Sequence, residues 1–289
     1  MALRQKLIID YDILPKWKSG IILLYLTFRA LVGLIVKNKL RNFSEISKDY
    51  DQGSWRGILN EKRWLEYESV FEFITYEKYD FIRIAKINNE IVKIKNSDYY
   101  KYRLMKLNEI ISENSTDKNI YELGCGWGLN LFSLSNNFNS LTGFDISQNA
   151  IIAGQQITKH FNILNINFRN IDLTNSNHLG WNELNNKTIF TYHSLEQLKH
   201  YINDVIQNII NSKVKRVIHF EPTVELYNLR SLKDMASYTY IKRRDYLNNL
   251  ITILESFEKQ NKLKILKKER TFFSPQPRYD STLIVWEPC

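Results

Sequence analysis

IYELGCGWGLN (residues 120–130) places Gly124, Gly126 and Gly128 at alternate positions between two apolar runs. A strand that ends in glycines and continues as a helix lets a ligand approach the backbone closely, because glycine enters the left-handed region without steric cost. The first turn of such a helix also carries N–H groups without intrahelical partners. Both common phosphate cradles fit poorly. The dinucleotide fingerprint G-x-G-x-x-G/A needs a small residue where Leu129 stands. The phosphate loop G-x-x-x-x-G-K-[ST] does not occur in the chain.

Downstream of the glycines, short β-branched or aromatic runs alternate with helical stretches, the rhythm of βα units in a mostly parallel sheet. Strands are expected at 119–124, 141–145, 166–172, 188–193, 215–220, 263–272 and 282–287, with helices at 128–138, 148–162, 197–212 and 232–260. Only FSPQPRYDS separates the last two strands, too little for a crossover helix, so they should pair antiparallel. The fold class is therefore α/β, a seven-stranded, mostly parallel, doubly wound sheet over residues 118–289. Residues 1–117 read as a mainly helical addition. Within it, residues 54–78 space apolar side chains helically, with Ile58, Trp64, Leu65, Val70, Phe71 and Ile74 as core positions. Residues 81–95 alternate apolar and polar on both sides of Asn88-Asn89, which predicts a β-hairpin, and 98–113 return to helix.

The glycine segment resembles the first motif of the class I S-adenosylmethionine-dependent methyltransferases, E/D-x-G-x-G-x-G, through Glu122, Gly124, Gly126 and Gly128. That resemblance covers about residues 119–220 and not the first 110. It implies a Rossmann-like domain, S-adenosylmethionine as cofactor and a transferase activity. An acidic strand end suits a ligand with a sulfonium and an amino group better than it suits a pyrophosphate. The resemblance further implies that Cys125 lies in the cofactor turn. It places Asp145 and Ile146 at the second strand end beside the ribose, Asp172 and Leu173 after the third strand beside the adenine, and Tyr192 near the transferable methyl. Asp145 could instead cap the next helix, although Ser147 is the better cap, and Asp172 could form a plain Asx-turn.

Methyl transfer is an in-line displacement, so the protein chiefly aligns the nucleophile, and a hydroxyl acceptor benefits from a nearby base. Two clusters compete for that role: His193 with Glu196 after the fourth strand, and His219 with Glu221 at the end of the fifth. His193 is preferred, since imidazole is the side chain that changes charge near neutrality. The spacing of these four residues gives little support for a metal site. Residues 222–246 read as a lid in which Tyr227, Arg230, Tyr238, Tyr240, Arg243 and Arg244 hold an anionic acceptor, or else as a solvated helix face.

The net charge of +9, from 40 Lys and Arg against 31 Asp and Glu, favours an anionic partner without choosing one. No zinc finger, RNA-recognition signature or arginine-rich tail accompanies it, which disfavours nucleic acid. The fourth strand also lacks the Asn/Asp-Pro-Pro-aromatic sequence of amino-methylating base modifiers. A polar small molecule or glycan, methylated on oxygen and for instance part of a surface polysaccharide, is the leading acceptor. An RNA methyltransferase and a non-catalytic nucleoside-binding module are the rivals. Two cysteines, Cys125 and Cys289, offer no disulfide framework, and a cytoplasmic location is expected. Residues 20–36 (GIILLYLTFRALVGLIV) approach the length of a spanning helix. Arg29 near the middle would cost such a helix roughly 2.5–3.5 kcal/mol. The segment is expected either to pack on the main domain or to bring residues 17–41 onto the inner membrane surface.

Overall fold

The computed structural model describes residues 9–35, 45 and 48–289. In chain order its elements are β1 (Tyr11–Ile13), α1 (Lys16–Ile35), a π-helical turn (Tyr50–Trp55), α2 (Arg56–Glu61), α3 (Val70–Thr75), β2 (Ile82–Ile87), β3 (Glu90–Lys95), α4 (Asn96–Asn114) and β4 (Asn119–Leu123). There follow α5 (Leu129–Leu134), β5 (Ser140–Asp145), α6 (Gln148–His160), β6 (Ile166–Asn170), β7 (Thr188–Tyr192), α7 (Ile202–Asn211), β8 (Arg216–Glu221), α8 (Leu232–Arg244), α9 (Leu250–Lys259), β9 (Leu263–Arg270) and β10 (Thr282–Pro288).

A seven-stranded sheet runs in the order β6-β5-β4-β7-β8-β10-β9. Its first five strands are parallel, while β10 is antiparallel to both β8 and β9. Strand alternation distributes the core to the two faces. Ile120, Phe190, Ile218, Phe220, Leu283 and Val285 pack with the buried faces of α4, α5 and α6. Leu123, Ile189, Val217, Ile284 and Trp286 pack with α7 and α9 on the other. The sheet is thus doubly wound, as its sequence rhythm predicts.

Upstream, Asn88 and Asn89 take φ of 49° and 63° and close the β2-β3 hairpin, where short Asn side chains tolerate the left-handed region. Strand β1 adds to β3 and makes a three-stranded antiparallel sheet, a strand that the sequence pattern does not announce. The hairpin is tied to the carboxyl-terminal half by an antiparallel bridge between Lys86 and Ser274. It is tied again by the fully buried ion pair of Lys86 Nζ with Asp280 Oδ1 at 2.9 Å. Arg270 adds contacts to Asp280 and Asp234 at 3.0 and 2.9 Å.

Several expectations need correction. The helix read as 232–260 is two helices: Asp245 turns left-handed (φ 53°) just after the cationic run Lys242, Arg243 and Arg244, which favours a helix C-terminus. Leu65 and Phe71 are exposed rather than core, while Trp64, Tyr67, Phe73, Ile74 and Thr75 are the buried residues of that region. α5 and α7 are shorter than predicted, six and ten residues. Helix α1 does pack on α8, through Ser19, Leu23, Thr27 and Ala30. Val36 and the cations Lys37, Lys39 and Arg41 of the same segment lie outside the described residues.

Candidate functional site

A cleft of about 590 Å³ opens over the carboxyl ends of β4, β5 and β7, where a doubly wound sheet reverses its strand order and leaves a crevice. Its floor is the glycine turn. Gly124, Gly126 and Gly128 have φ of 75°, 54° and 92°, a left-handed succession that other residues rarely adopt. At Gly126 a Cβ would come within 3.2 Å of the Trp55 ring, so the glycine also admits the aromatic roof.

Four N–H groups of this turn are spent inside the protein. Gly124 and Cys125 donate to the Phe144 carbonyl at 2.7 and 3.0 Å, Gly128 donates to the Cys125 carbonyl, and Gly126 donates to Asp145 Oδ2 at 2.8 Å. A phosphate would find these donors already engaged, with the Asp145 carboxylate facing it. The other Asp145 oxygen accepts from the Ser147 N–H at 2.8 Å. Burial raises the Asp145 pKa, against the lowering effect of these backbone N–H donors. Ser147 caps α6, as its sequence position predicts, by accepting from the Ala150 N–H.

Beneath the floor Glu122 is fully buried. Its Oε1 accepts from Asn130 Nδ2 at 2.6 Å and its Oε2 has no partner. Burial pushes its carboxyl up to about 8, opposed by the Asn130 hydrogen bond and the charge of Arg103. Arg103, on α4, reaches the cleft from the amino-terminal addition. It donates from Nη2 to Asn130 Oδ1 at 2.7 Å and from Nε to the Tyr192 hydroxyl at 3.1 Å, with its guanidinium 4.1 Å from the centre of the Tyr192 ring. Among the described residues its Nη1 is buried without a partner, and a buried donor left unsatisfied is costly unless a ligand meets it.

At the end of β7, His193 takes φ 53° and turns its ring towards the cleft. Nδ1 lies 3.0 Å from Glu196 Oε2 and Nε2 lies 2.7 Å from Ser281 Oγ. Because a carboxylate only accepts, Glu196 holds the proton on Nδ1 and leaves Nε2 as the basic nitrogen.

The predicted residues thus divide. Gly124, Cys125, Gly126, Asp145, Ile146, Leu173, Tyr192, His193 and Glu196 line the cleft. Glu122 and Gly128 support it from below and behind. Asp172 does not face it: its Oδ1 accepts from the Thr174 N–H and hydroxyl, an Asx-turn. His219 and Glu221 are both fully buried and absent from the lining. Strand alternation points His219 with Val217 towards α7 and α9, with Nδ1 2.9 Å from Thr191 Oγ1. Burial drives its pKa down to about 3, so it is neutral in the folded protein at ordinary pH. Glu221 accepts from the Ser194 N–H at 3.1 Å, and burial raises it to about 7.

None of the six residues assigned to a lid lines the cleft. Arg230 is exposed, Tyr227 lies under Arg270, Tyr238 under Lys242, and Arg243 rests on Gly33 of α1. Tyr240 comes nearest, stacked at 4.8 Å on Tyr279, which does line the cleft, and Arg244 Nε donates to its hydroxyl. The walls come instead from Tyr50, Trp55, Tyr76, Tyr100, Arg103 and Tyr279. Asp51 brings the first two into place by accepting from Ser147 Oγ at 2.6 Å and from the Asn149 N–H at 3.1 Å. The aromatic spacing around Trp55 was the available signal for that roof, and it is indistinguishable in sequence from core packing.

Residues 120–217 match a family model described as "Methyltransferase domain". No curated protein matches the chain in sequence. Among solved structures, magnesium protoporphyrin IX methyltransferase from Synechocystis PCC 6803 with bound SAM is 13% identical, with a TM-score of 0.51, covering 88% of this chain and 100% of that one. The N-methyltransferase NodS from Bradyrhizobium japonicum in complex with S-adenosylhomocysteine is 17% identical, with a TM-score of 0.47, covering 66% and 87%. At such identities the first of these likenesses establishes the fold.

Proposed function

We propose that this chain, which carries a class I S-adenosylmethionine-dependent methyltransferase domain, methylates a hydroxyl of a polar small molecule or glycan, with a surface-polysaccharide sugar as the first candidate. The cleft suits the cofactor on three observations. The N–H groups of Gly124, Cys125, Gly126 and Gly128 are engaged within the protein rather than free for a phosphate, Asp145 stands where ribose hydroxyls can donate, and the Arg103 Nη1, without a partner among the described residues, can meet a carboxylate. Ile146 and Leu173 supply apolar contact for a nucleobase. S-adenosylmethionine supplies, when bound, an already activated methyl group on its sulfonium.

The observation that carries the oxygen-methylation reading is the His193 pair. Glu196 fixes the tautomer through Nδ1, and the Ser281 hydroxyl marks the direction from which Nε2 receives a proton. In this reading an acceptor hydroxyl shares or replaces the Ser281 contact and gives its proton to Nε2 as the methyl arrives. Tyr192 and Tyr279, at either side of the His193 ring, orient the acceptor and keep water away. Enzyme incubated with labelled S-adenosylmethionine and fractionated cell extract, followed by mass analysis, tests the proposal. Label on a carbohydrate or other hydroxyl oxygen supports it. Label on RNA would replace the acceptor class, and tight cofactor binding without transfer to any fraction would leave a binding module.

A further inference from the structure

Helix α1 is inverted relative to an ordinary surface helix. Its small residues, Ser19, Thr27 and Ala30 with Leu23, face α8, and Arg243 lies on Gly33 where any Cβ would collide. Its large side chains point away from the protein: Trp17, Phe28 and Ile35 are 64%, 67% and 82% exposed, and Ile21, Leu24 and Tyr25 are also exposed. Contiguous apolar surface of this kind marks an interaction site rather than a solvated face. Lys18 and Arg29, about three turns apart, lie on one flank of that stripe.

The same flank continues into α8 and the loop before β10. Burial, together with repulsion from Arg29 and Arg243, holds the Arg278 guanidinium below its usual pKa against attraction from Tyr240. Among the described residues Arg278 Nε is buried without a hydrogen-bond partner, and its Nη2 reaches Gln276 Oε1 at 3.5 Å. Three guanidiniums from three segments therefore lie beside the apolar stripe, and that of Arg278 lacks a full complement of acceptors. Arg278 sits 4.2 Å over the Tyr240 ring, which stacks on Tyr279 at the cleft wall.

We infer that the outer face of α1, with Arg29, Arg243 and Arg278 at its flank, docks the protein on an anionic phospholipid surface. An apolar helix face bordered by cations is the pattern of helices that lie in the plane of a membrane interface. Lipid phosphates supply anionic acceptors to these guanidiniums. The helix lies on the bilayer and does not cross it, because its other face is occupied by α8 and Arg29 is at mid-length. A second copy fits less well: a two-fold pairing of this face sets the same cations near themselves, in a chain of net charge +9. The docking stands independently of which acceptor is methylated, and it sets the cleft wall at Tyr279 next to the lipid side.

Co-sedimentation of the full chain with vesicles of phosphatidylcholine, with and without phosphatidylglycerol, tests it. The protein should pellet with the mixed vesicles, stay free with the neutral ones, and be released by raised salt. Phe28→Ser should weaken partitioning about tenfold, and Arg29→Ala and Arg278→Ala about fivefold each. S-adenosylhomocysteine titration of Phe28→Ser should match the parent protein, which shows an intact fold. Failure to pellet with mixed vesicles, or pelleting unchanged in all three variants, overturns the inference. So does a dimer in light scattering that Phe28→Ser dissociates, which would give the face to a second copy.

Discussion

The Asp51 carboxylate sits on the first turn of α6, accepting from Ser147 Oγ at 2.6 Å and from the Asn149 N–H at 3.1 Å. Asn149 Nδ2 donates to the same carboxylate at 3.0 Å. Through these bonds the amino-terminal addition is fastened to the strand end that carries Asp145, and Tyr50 and Trp55 are held over the cleft. Loss of a helix-capping carboxylate costs about 1 kcal/mol, so Asp51→Ala should lower Tm by about 2–4 °C. Calorimetry should also show a several-fold weaker affinity for S-adenosylhomocysteine, because the aromatic roof loses its tether. Unchanged affinity would mean that Tyr50 and Trp55 do not contact the cofactor.

Gly126→Val places a β-branched residue at φ 54° and drives its Cβ towards Trp55. Asp145→Ala removes the acceptor of the Gly126 and Ser147 N–H groups together with the proposed ribose contact. Each should weaken S-adenosylhomocysteine at least about tenfold, a loss near 1.4 kcal/mol. Normal affinity in both variants would refute the assignment of the cleft.

His193→Ala should reduce methyl transfer by about two to four orders of magnitude, the usual contribution of a positioned base. Cofactor affinity should stay within about twofold, since the proposed cofactor contacts lie at the ends of β4, β5 and β6 and on α4. Glu196→Gln should reduce turnover less and alter its pH profile, because an amide no longer fixes the Nδ1 proton. Full turnover in His193→Ala would remove it as the base.

Lys86→Met strands the buried Asp280 carboxylate with Arg270 alone. Breaking one half of a buried pair costs about 3–5 kcal/mol, which denaturant titration would register as a lower midpoint at unchanged slope. The pair also has a pH signature. Against burial, Lys86 and Arg270 hold the Asp280 carboxyl below its ordinary value of 3.8. Its contribution is therefore complete above that value and lost as pH falls through the folded pKa.

Glu122 acts in the opposite sense. Burial lifts its folded pKa to about 8, above the ordinary 4.5, so the folded state retains a proton that the unfolded state releases. Stability from this group is full below about 4.5 and falls as pH rises towards 8. Glu122→Gln keeps an oxygen for Asn130 Nδ2 and carries no charge, so it should flatten the decline of stability over that range. A decline of the same steepness would show that Glu122 ionises without penalty.

What could be read from sequence was what neighbours in the chain determine. The glycine turn, the Ser147 cap and the Asn88-Asn89 hairpin each follow from a few adjacent residues, and the alternation of strand and helix runs carried the mostly parallel, doubly wound sheet. Arg103, Trp55 and Tyr279 escaped because they enter the cleft from three separate segments and look like ordinary helix or loop residues until the fold assembles them. The assignment of Leu65 and Phe71 to the core failed because a six-residue helix such as α3 gives too few turns to define a buried face. His219 was misplaced by a different cause. A histidine at a strand end suggests an open crevice, but alternation turns this one into the packed side of the sheet.

Strand β10 runs between β8 and β9, and Ser281 just before it touches His193. During synthesis the ribosome delivers this strand after every other strand of the sheet. His193 therefore gains its Ser281 neighbour only with the last strand of the sheet to be made, the same strand that closes the open edge of β8.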